Sequence, residues 1–293
     1  MSNQDIFRSA RHLKPALFYR AGRPAVLCLF LGCLCGLVLA GCWRGPDSPG
    51  AVRAITIAGS TSVQPFAEKL AEEYMRRHSE VRIDIQGGGS SAGIYAAQQG
   101  VADLGASSRE LVKAEKELME IPIAYDGIAI IVNKDNPLEN LSLEQIRQIY
   151  QGKITDWAEL GLPSHSIHLI TREEGSGTRN AFEELAMGKE AYITPAALVQ
   201  DSNGSVREIV ANDPHALGYI SMGLVEPRVR AIAVDGVLPT RENVKNHSYK
   251  LVRRFLLVTQ ELKPGPCQDF VNFILSPKGQ SLLETEGLVG VAD

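Results

Sequence analysis

Apolar and polar positions alternate with two different periods along the chain from Ala54 onward. Short β-rich runs with a period of two predict strands, and stretches with apolar residues about four positions apart predict helices. The clearest helix is Val63–His78, which places Phe66, Leu70 and Tyr74 on one face. Strands and helices follow one another through the body of the chain, which is typical of an α/β fold with a largely parallel sheet.

These periods predict strands and helices throughout the chain after Ala54. The predicted strands are Ala54–Ala58, Val81–Ile85, Leu104–Ala106, Ile121–Tyr125, Ile128–Val132, Ile167–Ile170, Ala216–Ile220 and Phe255–Thr259. The predicted helices are Val63–His78, Ser91–Gln99, Leu111–Met119, Leu143–Tyr150, Arg179–Leu185, Ser205–Ala211, Gln268–Leu275 and Gly279–Glu284. Asp126-Gly127 separates two of the strands, and this dipeptide predicts either a turn or a crossover between them.

The N-terminus has a separate pattern, in which a basic stretch precedes the apolar run Ala25–Ala40. A basic region followed by a short apolar core predicts a secretory signal peptide. The tetrapeptide Leu39–Cys42 resembles the bacterial lipobox, which implies cleavage after Gly41 and lipidation of Cys42. Residues 1–41 are then a signal peptide and residues 42–53 a polar tether. The alternative is an uncleaved membrane anchor, since the run approaches the roughly 20 residues that span a bilayer.

Both interpretations place the rest of the chain outside the cytoplasm, and the cysteines and charges agree. Cys267 is the one cysteine beyond Cys42, so the body cannot form an intramolecular disulfide. The net charge is −4, and the first 41 residues hold five of the 30 Lys and Arg but one of the 34 Asp and Glu. The body is therefore acidic, which argues against nucleic acid as a partner.

Four segments share one design, in which a strand leads through small polar residues into a helix N-terminus. They are Gly59–Ser62, Gly87–Ser91, Gly105–Ser108 and Gly175–Thr178. Each segment offers free backbone N–H groups, hydroxyls, and glycines that let a ligand approach the main chain. Because a helix N-terminus carries a partial positive charge, several of them around one point predict an anion site. Arg172, just before the fourth segment, adds a charged fork suited to an oxyanion.

Several motifs make this pattern specific. The stretches Ala58–Pro65, Gly89–Gly93, Gly105–Ser108 and Arg172–Thr178 resemble, in the same order, the phosphate-binding segments of the substrate-binding proteins of phosphate ABC importers. Gln151–Trp157 and Ala216–Tyr219 are similar as well, so the likeness extends from about Ile55 to the C-terminus. The Arg-x-x-Gly-Ser-Gly-Thr segment is the most specific of these motifs.

The resemblance implies a two-lobed periplasmic-binding-protein-like fold of type II, with a two-stranded hinge and a ligand cleft between the lobes. Residues 54–127 and 247–293 would form lobe 1, and residues 128–246 would form lobe 2. It also implies phosphate as ligand, an ABC permease and ATPase complex as partner, a monomer, and no cofactor, metal or catalytic residue. The protein would sit on the outer side of a bacterial membrane, held by the lipid on Cys42.

Carried over by position, the resemblance implies a set of phosphate-binding residues: Thr61, Ser62, Ser90, Ser108, Arg172, Ser176, Gly177 and Thr178. It also implies that Glu174 holds Arg172 in place. The chain departs from the longer family members at Ser108, where they have an Asp that accepts the proton of phosphate. A hydroxyl both accepts and donates, and shorter members have Ser here, so phosphate remains the expected ligand. The stretch Tyr249–Arg254 is more basic than is usual for a core strand.

The same residues also match patterns of a hydrolase, of a dinucleotide-binding protein and of receptors for other anions. The Gly89–Gly93 segment matches the G-x-S-x-G nucleophile elbow of hydrolases, but no downstream His lies in a motif that would complete a triad. Gly87–Ala92 fits a loose dinucleotide fingerprint, but the acidic residue expected after the next strand is missing. A binding module for sulfate, molybdate or arsenate, or a phosphate sensor without transport, remains the main alternative.

Overall fold

The computed structural model describes residues 53–188 and 192–291. The predicted signal peptide, Cys42 and almost all of the tether lie outside the described residues. In the described part, no helix combines the length and the apolar character needed to cross a membrane.

Strands and helices alternate as the sequence predicts, with several short additions. The strands are β1 (Arg53–Gly59), β2 (Val81–Gly87), β3 (Leu104–Ser107), β4 (Met119–Asn133), β5 (Asn140–Leu141), β6 (His168–Arg172), β7 (Leu198–Gln200), β8 (Ala216–Ser221), β9 (Val229–Ala231), β10 (Ala233–Val234), β11 (Val252–Thr259) and β12 (Val289–Gly290). The helices are α1 (Gln64–Met75), α2 (Ser90–Gln98), α3 (Leu143–Tyr150), α4 (Gly177–Phe182), α5 (Asn203–Asn212), α6 (Arg241–Lys245), α7 (Pro266–Leu275) and α8 (Pro277–Thr285).

The main sheet is mixed rather than largely parallel. Its strand order is β2-β1-β3-β11-β4-β8-β6-β7, with β9 and β12 pairing β4. The outer pairs β1–β2, β1–β3, β6–β7 and β6–β8 are parallel, as the alternation of strands and helices predicts. The central strand β11 runs antiparallel to β3 and β4, and β8 runs antiparallel to β4. The sequence pattern alone could not reveal these central pairings, because they join segments far apart in the chain.

Beside a small cluster that packs α2 against β11, two larger hydrophobic cores of the described residues lie on either side of the centre of the main sheet. The first core packs β1, β2 and the first half of β4 against α1 and α7. We call the elements around this first core lobe 1. The second core packs the second half of β4 and β8 against α3 and α5, and it includes Tyr249 and Leu251. We call the elements around this second core lobe 2. The fold is therefore the two-lobed α/β arrangement expected of a binding protein. The lobe boundaries set from the sequence stay a prediction.

Two strands run side by side from one core to the other. β4 contributes Ile123 and Ala124 to the first core and Ile128 to the second. β11 pairs with the first half of β4, and the crossing lies where Val252 stands opposite Gly127. Ile128 then donates its N–H to the carbonyl of Leu251 at 2.8 Å, which extends the pairing into lobe 2.

Of the two alternatives for Asp126-Gly127, the turn is wrong and the crossover is confirmed, since β4 continues through both residues from one core to the other. Asp126 is fully buried opposite Arg253, and this cation replaces the water that a turn aspartate would meet. Gly127 is needed for space, because a Cβ there would lie 2.9 Å from the sulfur of Met222. The dipeptide that favours a turn in isolation thus serves the crossing instead.

The helix predicted at Leu111–Met119 is also wrong, since only a single 3-10 turn forms at Lys113–Glu115. The Glu115 carboxylate accepts from the backbone N–H of Val112 at 2.9 Å and pairs with Arg109 at 2.7 Å. These contacts close the segment into one turn, and Met119 already pairs with β11.

The helix predicted at Arg179–Leu185 begins earlier, at Gly177, and continues beyond α4 as a π-helical turn, Glu183–Met187. Cys267 is a free cysteine, as the sequence analysis predicts, and it lies partly buried in the first turn of α7.

Candidate functional site

Gly59 allows the first polar segment to lie in direct contact with the third. Gly59 ends β1 with a φ of 140°, and a Cβ there would lie 2.2 Å from the carbonyl oxygen of Ala106. This close approach requires glycine. It allows Ser60 Oγ to donate to Ser108 Oγ at 2.8 Å.

The second segment joins the same cluster through Ser90, the first residue of α2. Ser90 Oγ accepts the backbone N–H of Ser108 at 3.0 Å and lies 3.4 Å from Ser108 Oγ. Both side chains are fully buried. The contact at 3.4 Å can take only one of the two hydroxyl hydrogens, so at least one of them can be donated elsewhere.

The fourth segment comes from lobe 2 and lies directly against the second and third. Ser176 Oγ caps α4 by accepting the N–H of Arg179 at 3.2 Å. The N–H groups of Gly177 and Thr178 precede it at the helix start, where they have no partner within the helix. A Cβ on Gly177 would lie 2.1 Å from Ser90 Oγ and 2.7 Å from Ser108 Oγ. The four segments predicted from the sequence therefore converge.

Arg172 lies at the end of β6, beside this cluster, and is 1% exposed. Its Nε and Nη2 form a two-pronged pair with the carboxylate of Glu173, both at 3.0 Å. Nη2 also donates to Thr61 Oγ1 at 3.2 Å, which links the arginine to the first segment of lobe 1. The carbonyl oxygens of Gln200 and Asp201 lie within hydrogen-bonding distance of the same two nitrogens and share their hydrogens with the other acceptors.

The third nitrogen, Nη1 of Arg172, is buried and has no hydrogen-bond partner among the residues that the structure describes. A buried guanidinium nitrogen without an acceptor is costly, and native proteins rarely leave one. A ligand oxygen would supply the missing acceptor.

The prediction that Glu174 holds Arg172 in place is wrong. Glu174 is exposed, whereas Glu173 supplies the carboxylate that fixes the guanidinium. The reason lies in the end of β6: Glu173 donates its N–H to the carbonyl of Gln200 at 3.2 Å and thereby stays alongside β7. Its side chain then turns back onto the neighbouring arginine.

The structure adds residues that the sequence analysis did not select. Asn203 Nδ2 donates to Ser62 Oγ at 2.8 Å, and Arg253 Nη2 donates to the same oxygen at 3.2 Å. Arg253 is in turn paired with Asp126 at 2.8 Å. Ser62 Oγ also lies 2.6 Å from Thr178 Oγ1, so protein atoms surround this hydroxyl.

Two signals in the sequence could have pointed to these residues. Residues 201–204 repeat the design of the other four segments, since β7 leads through a capping serine, Ser202, into α5. The basic stretch Tyr249–Arg254 also has a physical reason: Arg253 points inward to Asp126, and Arg254 pairs on the outside with Glu110 and Glu120.

Burial shifts the ionisation of the groups behind the site. It raises the pKa of Asp126 and lowers the pKa of Arg253, while the attraction between the two opposes both shifts. Burial also raises the pKa of Tyr219 to about 12. Tyr219 accepts the backbone N–H of Arg172 at 3.3 Å and therefore supports the arginine as a neutral phenol.

The cluster's chemistry is that of an anion receptor. Hydroxyls, helix N–H groups and one buried guanidinium face one another across the two lobes, a donor set that suits oxyanion oxygens. In the G-x-S-x-G match of Gly89–Gly93 the nucleophile position is Ser91, whose Oγ accepts a hydrogen bond from Arg109 Nη2 at 3.2 Å. His165 instead stacks on His215, with ring centroids 4.1 Å apart.

Comparisons with known proteins agree with this chemistry. A family model described as a PBP superfamily domain matches residues 45–278. The phosphate-binding protein PstS of Bacillus subtilis is 31% identical over 247 residues, covering 82% of this chain and 81% of the relative. The PstS of Borreliella burgdorferi is 28% identical over 252 residues, covering 82% and 90%.

Solved structures show the same likeness. One, from Clostridium perfringens, is described as a phosphate ABC transporter substrate-binding protein with bound phosphate. It is 44% identical, with a TM-score of 0.79, and covers 82% of this chain and 100% of its own. An ABC-type phosphate transport receptor from Vibrio cholerae is 39% identical, with a TM-score of 0.68, covering 80% and 99%.

Proposed function

Because this chain belongs to the PBP superfamily and, within it, to the PstS phosphate-binding proteins, we propose that it captures inorganic phosphate for an ABC importer. It acts outside the cytoplasm as a solute-binding protein and passes the anion to a permease and ATPase complex. The proposal is supported by the similarity to phosphate-binding proteins and by the donor cluster between the lobes.

We assign the anion contacts to both lobes. Thr61, Ser90 and Ser108 donate from lobe 1, and Arg172 provides the charge from lobe 2. The remaining contacts come from the N-terminus of α4. Ser176 caps this helix, and Gly177 and Thr178 donate N–H and hydroxyl hydrogens to the anion. We do not include Ser62, because its N–H donates to Ser60 Oγ and its hydroxyl is surrounded by protein partners.

The single observation that carries the proposal is the unpartnered Nη1 of Arg172. It belongs to a side chain that is almost completely buried and held rigidly by Glu173. An anion oxygen there completes the guanidinium's hydrogen bonding and neutralises its charge.

Calorimetry tests the proposal. We expect phosphate to bind with a Kd of about 1 µM or tighter, a free energy of roughly −8 kcal/mol. Arg172→Ala should weaken binding at least ~100-fold, since hydrogen bonds to charged groups contribute about 1.5–3 kcal/mol each. Arg179→Ala is the matched control, because Arg179 directly follows the fourth segment in α4, pairs with Glu183 and reaches Arg172 only at its backbone carbonyl. Equal loss in both variants, or no phosphate heat in the wild type, would contradict the proposal.

Sulfate is the second candidate ligand, and Ser108 is the observation that favours it. A carboxylate at this position would repel a fully ionised anion, whereas a hydroxyl donates to it. Heat with sulfate but not with phosphate would establish sulfate as the ligand.

We further propose that the mature protein is anchored by a lipid on Cys42. The supporting pattern is the apolar run that ends in Leu39–Cys42. Partition into a detergent phase measures the anchor. We expect the wild type to enter the detergent phase and Cys42→Ala to stay in the aqueous phase. Equal partition of the two would contradict the assignment.

A further inference from the structure

A closed ring of hydrogen-bonded side chains lies beside the proposed anion contacts, at the crossing between the lobes. Its members, in order around the ring, are Asp126, Arg253, Ser62, Asn203 and Ser221. All of them are at most 5% exposed. Two lie on the crossing strands β4 and β11, one follows β1 in lobe 1, and two belong to lobe 2.

Every link of the ring is a hydrogen bond. Arg253 donates to Asp126 Oδ2 at 2.9 Å and to Ser62 Oγ at 3.2 Å. Asn203 Nδ2 donates to Ser62 Oγ at 2.8 Å, and Asn203 Oδ1 accepts the backbone N–H of Ser221 at 3.1 Å. Ser221 Oγ closes the ring by donating to Asp126 Oδ1 at 2.7 Å.

The donors fix the direction of each hydrogen bond. A backbone N–H and a guanidinium can only donate. Ser221 N–H therefore turns Asn203 Oδ1 toward itself, and the amide nitrogen of Asn203 faces Ser62. Ser62 Oγ then accepts from Asn203 and from Arg253, which occupies both of its lone pairs.

The hydrogen of Ser62 has one remaining direction, toward Thr178 Oγ1 at 2.6 Å. Thr178 Oγ1 is then an acceptor toward Ser62, and its own hydrogen is left for another partner. That hydrogen is available to the anion cluster, because the N–H of Thr178 and its neighbour Gly177 open the same helix.

We infer that this ring is a latch that holds the lobes together around the anion and sets Thr178 as a donor to it. Ser62 is then the latch hydroxyl rather than a ligand contact. The inference rests on the proposed function, since it assigns the residues that retain the same anion. Its inter-lobe links are Asn203 to Ser62 and Ser62 to Thr178, which exist only while the lobes are in contact.

The latch makes a kinetic prediction. Links that exist only with the lobes together stabilise the bound state, whereas encounter with the anion precedes them. Loss of Asn203 should therefore speed release and leave association nearly unchanged. A merely structural residue would lower the unfolding midpoint without this separation of the two rates.

Stopped-flow phosphate binding to the purified full-length protein tests the latch. For Asn203→Ala we expect the off-rate to rise about tenfold, the equivalent of one net hydrogen bond, with the on-rate within about twofold of wild type. Ser221→Ala should give a smaller rise in the off-rate, since it breaks the ring without removing an inter-lobe bond. If Asn203→Ala does not fold, Ser221→Ala decides the outcome.

A double-mutant cycle with Thr178→Val checks the hydrogen direction. Asn203 and Thr178 both bond to Ser62, so the two losses should not add if the ring sets the threonine's hydrogen. Additive effects on affinity would overturn this part of the inference.

Ser142→Ala is the matched control, because this serine caps α3 in lobe 2 by accepting the N–H of Gln145 at 3.1 Å. It should lower the unfolding midpoint and leave the off-rate unchanged. A wild-type off-rate in Asn203→Ala and in Ser221→Ala would overturn the latch while phosphate binding itself stands. A wild type that binds no phosphate would overturn both the latch and the proposed function.

Discussion

At the scale of single residues, the two glutamates after Arg172 differ in a way that the sequence conceals. Both are one or two positions from the arginine, and the resemblance favours the second. The structure shows Glu173 paired with the guanidinium and Glu174 exposed. Which of two adjacent carboxylates turns inward depends on how β6 ends against β7, and that pairing is a long-range property.

These glutamates form a matched pair for a test. Glu173→Gln should weaken phosphate binding about tenfold, because the guanidinium loses one charge-assisted contact that orients it. Glu174→Gln should leave the affinity within about twofold of wild type, as is usual for an exposed side chain. Calorimetric titration of both variants measures the difference. An equal effect of the two substitutions would contradict the assignment of Glu173.

Ser108 decides how the site treats the proton of phosphate. Ser60 Oγ donates to Ser108 Oγ, and Ser108 keeps a hydrogen of its own, so this position can donate to a ligand oxygen as well as accept. In Ser108→Asp the carboxylate should accept the proton of monohydrogen phosphate and repel sulfate. We expect the ratio of phosphate to sulfate affinity to rise at least tenfold, since like charges at contact cost several kcal/mol at low dielectric.

Paired titrations with the two anions measure that ratio. Ser107→Asp is not a usable control, because Ser107 is buried and bonded to the Arg109 backbone. Ser91→Asp, next to Ser90 in the first turn of α2, tests whether added negative charge alone has the effect. An unchanged ratio in Ser108→Asp would show that this position does not contact the anion.

At the scale of elements, local signals predicted the site better than they predicted the helices around it. Glycines and small polar residues before helix starts are short-range features, and all four predicted segments converge. The helix predicted at Leu111–Met119 fails because the Arg109–Glu115 pair closes one turn there. The segment leading to Asn203 had the same local design and was missed because β7 is short and carries no strong periodicity.

Gly177 tests how closely the fourth segment must approach the others. Its Cβ would collide with Ser90 Oγ at 2.1 Å, so Gly177→Ala should displace the helix start and weaken phosphate binding at least tenfold. Gly175→Ala is the matched control, since its Cβ would meet nothing nearer than 3.9 Å at Ser91. Calorimetry together with an unfolding curve separates affinity from stability. Equal affinities in the two variants would contradict the proposed contact.

At the scale of the whole molecule, the alternation of elements predicts an α/β protein, and the family resemblance implies two lobes joined by a two-stranded hinge. Neither identifies which residues pair at the crossing. Asp126-Gly127 predicts a turn or a crossover, and β4 continues through it because Arg253, more than a hundred residues later, stands opposite. The unusual basic stretch around Arg253 marks the same place from the other strand. Neither half explains itself until the two strands are paired.

This crossing also explains why the residues behind the proposed anion contacts were not predicted from the sequence. The ring around Ser62 joins segments from the beginning, middle and end of the described chain. Such contacts depend on tertiary register rather than on local pattern. The local pattern identified the ligand-facing loops and the family resemblance implied that they converge, and the structure supplies the residues behind them.

The most direct test of the account is a crystal structure of the protein with phosphate. We predict one phosphate between the lobes, with an oxygen within hydrogen-bonding distance of Arg172 Nη1 and others near the N–H of Gly177 and the hydroxyls of Ser90 and Thr178. Ser62 should keep its contacts with Asn203 and Arg253. A phosphate bound elsewhere, or bound while Arg172 Nη1 stays without a partner, would contradict the central claim.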